Sequence, residues 1–154
     1  MWTIRRATRD DREGILALWE QAGLPLAAPA EWDALCDGRT SAILVAEEAK
    51  GVVGAAVATY DGWRAYLYHV AVHPEHRRRG IGHDLVGAAE QYLAEAGAQL
   101  AYVMVSEWNT HGLALIGSAG FLPEGDIVLA KRLPFASRGD DEMAMETVSL
   151  VRET

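Results

Sequence analysis

The stretch "VAVHPEHRRRGIGHDLV", Val70 to Val86, constrains the fold of this chain more than any other. It ends a strand-like run, "WRAYLYHVAV" (63–72), at His73-Pro74, where proline removes an amide donor and a ladder cannot continue. Three arginines follow, then Gly80-Ile81-Gly82, then Ile81, Leu85, Val86, Ala89, Tyr92 and Leu93 on one helical stripe that Gly97 stops. A strand, a tight turn and an amphipathic helix are set in order, with the glycines where the helix opens. A helix start exposes about four N–H donors and the positive end of its dipole. Gly80 and Gly82 carry no side chain to hold a ligand off, and they permit the dihedrals of an amide nest. The junction therefore reads as a diphosphate cradle with cationic side chains beside it. The bland alternative is a solvated basic helix start.

Two other phosphate cradles are excluded. A dinucleotide-binding fingerprint needs a third glycine or alanine where Leu85 stands, and a phosphate-binding loop needs Gly-Lys-Ser/Thr, which does not occur. The net charge of −8 argues against nucleic acid or anionic membrane as partner, so the basic cluster suits one small anion. No apolar run approaches the ~18 residues of a membrane helix, and the opening "MWTIRRATRDDRE" lacks the pattern of a secretory signal. Cys36 stands alone, which rules out an internal disulfide and makes a reducing cytoplasm the expected location.

The remaining elements follow from periodicity. Residues 3–7 suit a short opening strand. Ile15, Leu16, Leu18, Trp19 and Ala22 mark a first helix, with Thr8 and Asp11 spaced as a capping box and Gly23 as its stop. A shorter helix is expected from Pro29 to Gly38. "SAILVAEE" (41–48) and "VVGAAVATYDG" (52–62) read as a hairpin across "AKG", and "AQLAYVMVS" (98–106) as a buried strand. "NTHGLALIGSAG" (109–120) is a short helix weakened by Gly112 and Gly117. "DIVLAKRL" (126–133) and "METVSLVRE" (145–153) are expected to close the sheet around the polar loop "FASRGDDE" (135–142). The expected architecture is one α+β domain, residues 1–154, with a mostly antiparallel sheet and about four flanking helices.

At this point the chain resembles the GNAT N-acetyltransferases. Arg77, Gly80 and Gly82 occupy the defined positions of their Gln/Arg-x-x-Gly-x-Gly/Ala motif. "RRATRDD", the central hairpin "ILVAEEAKGVVGAAVATYDG", and Asn109 spaced ahead of Gly120-Phe121 agree with it, over residues 3 to about 133. The resemblance implies a sheet splayed between its fourth and fifth strands, and acetyl-CoA as cosubstrate. The pyrophosphate would lie on Arg77, Arg78, Arg79, Gly80, Ile81, Gly82 and His83. The pantetheine arm would run along Val70, Ala71 and Val72, with Asn109 bonding the arm or capping its own helix. The acceptor would be a primary amine of a small molecule or peptide. The alternatives are a protein N-terminal or ribosomal-protein-type enzyme and an acyl-CoA-sensing module. A homodimer is a prior only.

Acetyl transfer needs a neutral amine, a polarised carbonyl and a thiolate able to leave. A backbone N–H near Val70 or Ala71 can polarise the carbonyl. A lysine-like amine is neutral about once in 10³ at pH 7, so a base or a desolvating site is required for it, whereas an α-amine needs far less help. The glutamate and tyrosine that ribosomal-protein-type relatives use would align with Met104 and Ile116, both apolar. Glu107 is then the candidate base. His69 has a suitable pKa, and Tyr68 or Tyr66, read by strand alternation onto the face opposite His69, is the candidate acid. Core packing is the competing role for each of the three. Trp63 and Arg64 belong to the turn before the fourth strand, and Trp32 to the region expected to shape the acceptor pocket. His73, His76, His83 and His111 show no metal spacing, so no metal is expected.

Overall fold

The computed structural model describes residues 1–134. Its sheet runs β1 (Thr3–Arg6), β2 (Ser41–Glu48), β3 (Gly51–Tyr60), β4 (Ala65–Val72), β5 (Ala101–Val103), in chain order across the sheet. The first three pairings are antiparallel and β4–β5 is parallel. Short turns join β2 to β3 and β3 to β4, while the parallel pair needs a crossover, which α3 (Ile81–Ala96) supplies. α1 (Arg12–Gln21) and α2 (Pro29–Asp37) link β1 to β2, and α4 (Thr110–Ser118) follows β5. An α+β domain with a mostly antiparallel sheet and four helices is what the periodicity predicts.

Alternation in β2 divides the core. Ala42, Leu44 and Ala46 face the layer of α3, and Ile43 and Val45 face that of α1 and α2. α3 answers with Ile81, Leu85, Val86, Ala89 and Leu93, all buried, and the other layer with Ile15, Leu18, Trp19 and Trp32. Each such burial contributes about 2 kcal/mol before entropy is counted. The height of α3 over the sheet is set at Gly54, where a Cβ would lie 2.9 Å from Leu85 Cδ1 and 3.1 Å from Ile81 Cγ2.

The opening turn forms as its spacing predicts. The Thr8 N–H donates to Asp11 Oδ2 at 2.7 Å, and a single 3-10 turn, Arg9–Asp11, leads into α1. Arg5 of β1 grips Asp11 through two 2.8 Å bonds and reaches Glu47 of β2 at 2.9 Å. One guanidinium thus ties strand, neighbouring strand and first helical turn together. Gly23 takes the left-handed conformation expected of a helix stop, with φ 74°.

Three expectations change. β5 is three residues long rather than spanning 98–106, because β4 accompanies it only from Ala65 to Leu67. Residues 126–133 form no strand: no described strand lies beside them, and Ile127 and Leu129 are exposed. β-branched composition without a pairing partner is not enough. The loop 135–142 and the second closing run, 145–153, lie outside the described residues. Finally, strict alternation fails in β4. Ala55 pairs with Ala71 and Val57 with Tyr68, so His69 and Val70 together face Ala56. His69 adopts φ 51°, a conformation histidine tolerates better than most residues. The bulge places Tyr68 and His69 on the same side, rings 5.4 Å apart, and not on opposite faces.

Candidate active site

The arginine-glycine turn has the shape its sequence implies. Arg78 (φ 62°) and Gly80 (φ 94°) are both left-handed, with Arg77 extended before them. Alternating handedness turns successive N–H groups toward one side. The first bond within α3 runs from Asp84 N to Gly80 O at 3.0 Å, leaving the N–H groups of Ile81, Gly82 and His83 without an acceptor inside the helix. Arg77 fastens the turn to the strand it leaves, its Nε donating to Val72 O at 3.2 Å.

These amides open onto a cleft of about 690 Å³. Val70, Ala71 and Val72 form its floor, and Arg77, Arg78, Gly80, Ile81, Gly82 and His83 one end. Asn109 lies on the far wall with Gly112 and Leu115 of α4. Ten of the eleven residues expected at a cofactor site therefore share one cavity. Arg79 is the exception. Glu48, mostly buried at the end of β2, takes its NH2 at 2.7 Å, His76 Nδ1 lies 3.0 Å from its NH1, and Trp2 stacks on its guanidinium at 5.2 Å. A buried carboxylate outcompetes open water for the guanidinium, so Arg79 braces the turn from behind instead of facing the cleft. That contact holds the Glu48 carboxyl below its usual range.

Gly82 does double service. A Cβ there would lie 3.0 Å from Leu115 Cδ2, so the residue lets α4 close over the cleft. Asn109 caps α4, its Oδ1 accepting from Gly112 N at 2.9 Å. Gly112, read from sequence as a weakness, is the residue that makes room for this cap, since a Cβ would come 2.5 Å from Asn109 Nδ2.

The three catalytic candidates separate. Tyr68 and His69 line a second cavity, of about 410 Å³, on the α1/α2 side of β4. His69 Nε2 lies 3.0 Å from Pro25 O; a carbonyl only accepts, so this nitrogen carries the hydrogen and buried Nδ1 is left with a lone pair and no partner among the described residues. Burial holds the imidazole pKa below its usual value, and burial with the Glu31 charge pushes Tyr68 up to about 12. Both are uncharged at neutral pH. Glu107 is exposed and lines neither cavity. Trp32 packs in the core against Trp19, rings 6.4 Å apart, so its influence on the pocket is indirect. Trp63 and Arg64 stack together beside β5, away from both cavities.

Ser106, Trp108, His76 and Leu24 also line the first cleft and escaped sequence reading. Trp108 carried a signal only in its place, directly before the capping Asn109; its exposure of 76% is known from the fold alone. Leu24 carried none, because only the tertiary fold brings the α1–α2 connection there. Among the described residues no cluster of metal-binding side chains occurs and no helix is long and apolar enough to cross a membrane.

A mixed five-stranded sheet, splayed after Leu67, with a left-handed turn opening the long helix, defines a class of acyl-transfer fold. The chain matches the Acetyltransferase (GNAT) family over residues 4–121, and it belongs to that family. An acetyltransferase of Yersinia pestis is 31% identical over 133 residues, 84% of this chain and 94% of the relative. One from Pectobacterium atrosepticum is 32% identical over the same span and shares. The fold also matches an aminoglycoside N-acetyltransferase, AAC(6')-Iy, in complex with a bisubstrate analog, with a TM-score of 0.75 at 17% identity, covering 87% of this chain and 99% of that one. A protein of Bacillus halodurans C-125 described as a transcriptional regulator has a TM-score of 0.74 at 21% identity, covering 85% and 99%. The protein is an acyltransferase.

Proposed function

We propose that this protein transfers an acetyl group from acetyl-CoA to a primary amine of a small molecule or peptide, directly and without a covalent enzyme intermediate. The observation that carries the reading is the left-handed turn at Arg78 and Gly80, whose amides open onto a cleft floored by Val70 to Val72. The residues present fit the cofactor: a nest of N–H groups, two cationic side chains and an exposed strand backbone ending at a bulge. Acetyl-CoA would supply the activated acyl group as a thioester.

The roles of the chain's own residues follow. The amides of Ile81, Gly82 and His83, with Arg77 and Arg78, would hold the pyrophosphate; Arg79 would steady the turn through Glu48. The backbone of Val70, Ala71 and Val72 would hold the pantetheine arm, Asn109 keeping the opposing wall in place. A bulge takes an amide out of the ladder, which makes an N–H at His69–Ala71 available to an oxygen that gains negative charge. Tyr68 stays protonated at neutral pH and is a hydrogen-bond donor beside the bulge. Glu107, between the cleft-lining Ser106 and Trp108, would serve as the carboxylate that takes up the proton the amine sheds, through water. His69 would latch the α1–α2 connection through Pro25 and remain neutral.

Calorimetry with acetyl-CoA, paired with thiol release over a panel of primary amines, tests this. Binding together with turnover of at least one amine is expected. Absence of acetyl-CoA binding would overturn it.

A further inference from the structure

The second cavity, on the α1/α2 face of β4, has a composition that narrows the acceptor. Leu26, Ala27, Ala34 and Leu35 supply aliphatic wall, and Trp19 and Tyr68 supply aromatic wall. Among the described residues Glu31 is the one acidic side chain on it. Its Oε1 accepts from Ala28 N at 3.0 Å, which caps α2 and fixes the carboxylate. Tyr68 and His69 are neutral, and among the described residues no arginine or lysine lines the cavity.

The two cavities abut. Leu24, Val70 and Ala71 line the first, while Pro25, Tyr68 and His69 line the second, so consecutive residues on two segments form the shared partition. A molecule filling the second cavity therefore reaches the bulge of β4.

We propose that this cavity binds the acceptor, and that the acceptor is a compact primary amine with an aromatic or aliphatic body and no carboxylate. The inference rests on the acetyltransferase reading above. Glu31 draws the ammonium in from water, and apolar walls take its body. A carboxylate on the same molecule meets a fixed negative charge and, among the described residues, no compensating cation. A polycationic aminosugar finds, among the described residues, one counter-charge for several ammonium groups. The step balances simply. The ammonium loses one proton to solvent, its nitrogen forms a C–N bond to the acetyl carbon as the C–S bond breaks, and a second nitrogen proton ends on the departing sulfur. The products are the N-substituted acetamide and CoA thiol.

The test uses the full chain with acetyl-CoA and three probes: 2-phenylethylamine, phenylalanine and neamine. Phenylethylamine is expected to be acetylated with kcat/KM at least ~100-fold above either of the others. Glu31→Gln keeps an acceptor for Ala28 N and is expected to raise KM for phenylethylamine about 10-fold, leaving the Kd for acetyl-CoA unchanged. Leu35→Trp, checked for folding by circular dichroism, fills the cavity and is expected to abolish amine turnover while acetyl-CoA still binds. Equal or faster acetylation of phenylalanine or neamine overturns the inference, as does an unchanged KM in Glu31→Gln. Acetyl-CoA binding with no acetylation or binding of phenylethylamine overturns it as well. Loss of acetyl-CoA binding to the unaltered protein would instead remove the acetyltransferase reading beneath it, and this inference with it.

Discussion

At Gly80 a backbone requirement separates cleanly from packing. Its φ of 94° favours glycine, yet a Cβ there would touch nothing within 4 Å. Gly80→Ala therefore strains the turn by about 1–2 kcal/mol without crowding any neighbour. The expected result is a 5- to 30-fold weaker Kd for acetyl-CoA by calorimetry, with little change in thermal stability beyond that strain. Gly82 behaves differently, because a side chain there meets Leu115. Gly82→Val is expected to weaken acetyl-CoA binding at least as much and also to lower the melting temperature, as α4 is pushed off the cleft. Equal melting temperatures for the two variants would contradict that division of labour.

Among elements, α4 shows how a poor helix former earns its place. Alanine at position 112 would gain about 1 kcal/mol of helix propensity, but its Cβ would displace the Asn109 cap, which is worth about as much. Gly112→Ala is expected to leave denaturant stability unchanged or lower, whereas Gly117→Ala, where a Cβ meets nothing, is expected to raise it by up to about 1 kcal/mol. Urea unfolding of the two variants decides it. The elements also show what the chain discloses unaided. The four helices, the hairpin and the cradle were legible, because each rests on local spacing, capping residues or glycine conformation. The bulge was not, since no residue in "YLYHVAV" announces an extra position; register depends on β3. The departure of Arg79 was equally hidden, because its partner Glu48 lies 31 positions earlier in the chain. The length of β5 depended on a neighbouring strand turning away.

For the whole molecule, acid should act in two steps. His69 is neutral in the fold with its pKa lowered by burial, so stability falls as pH drops below its ordinary 6.5, where the unfolded chain takes up a proton the fold resists. Asp11 is held down to about 2, chiefly by Arg5, so the stability it contributes is present above its ordinary 3.8 and lost as pH falls through about 2. Melting temperature against pH is expected to decline in both windows, and Asp11→Asn to flatten the lower one. A melting temperature constant from pH 7 to 2 would rule out both assignments. The bulge in β4 has a reach beyond its own residues. It is a surplus of one position, so excising His69 would leave Tyr68, Val70, Ala71 and Val72 facing the layers they face now. What would go is the bend. A straightened β4 could keep company with β5 past Leu67, and the gap between them, where a cosubstrate has room to lie, would zip shut. The opening in the sheet would then be the footprint of a single inserted amino acid.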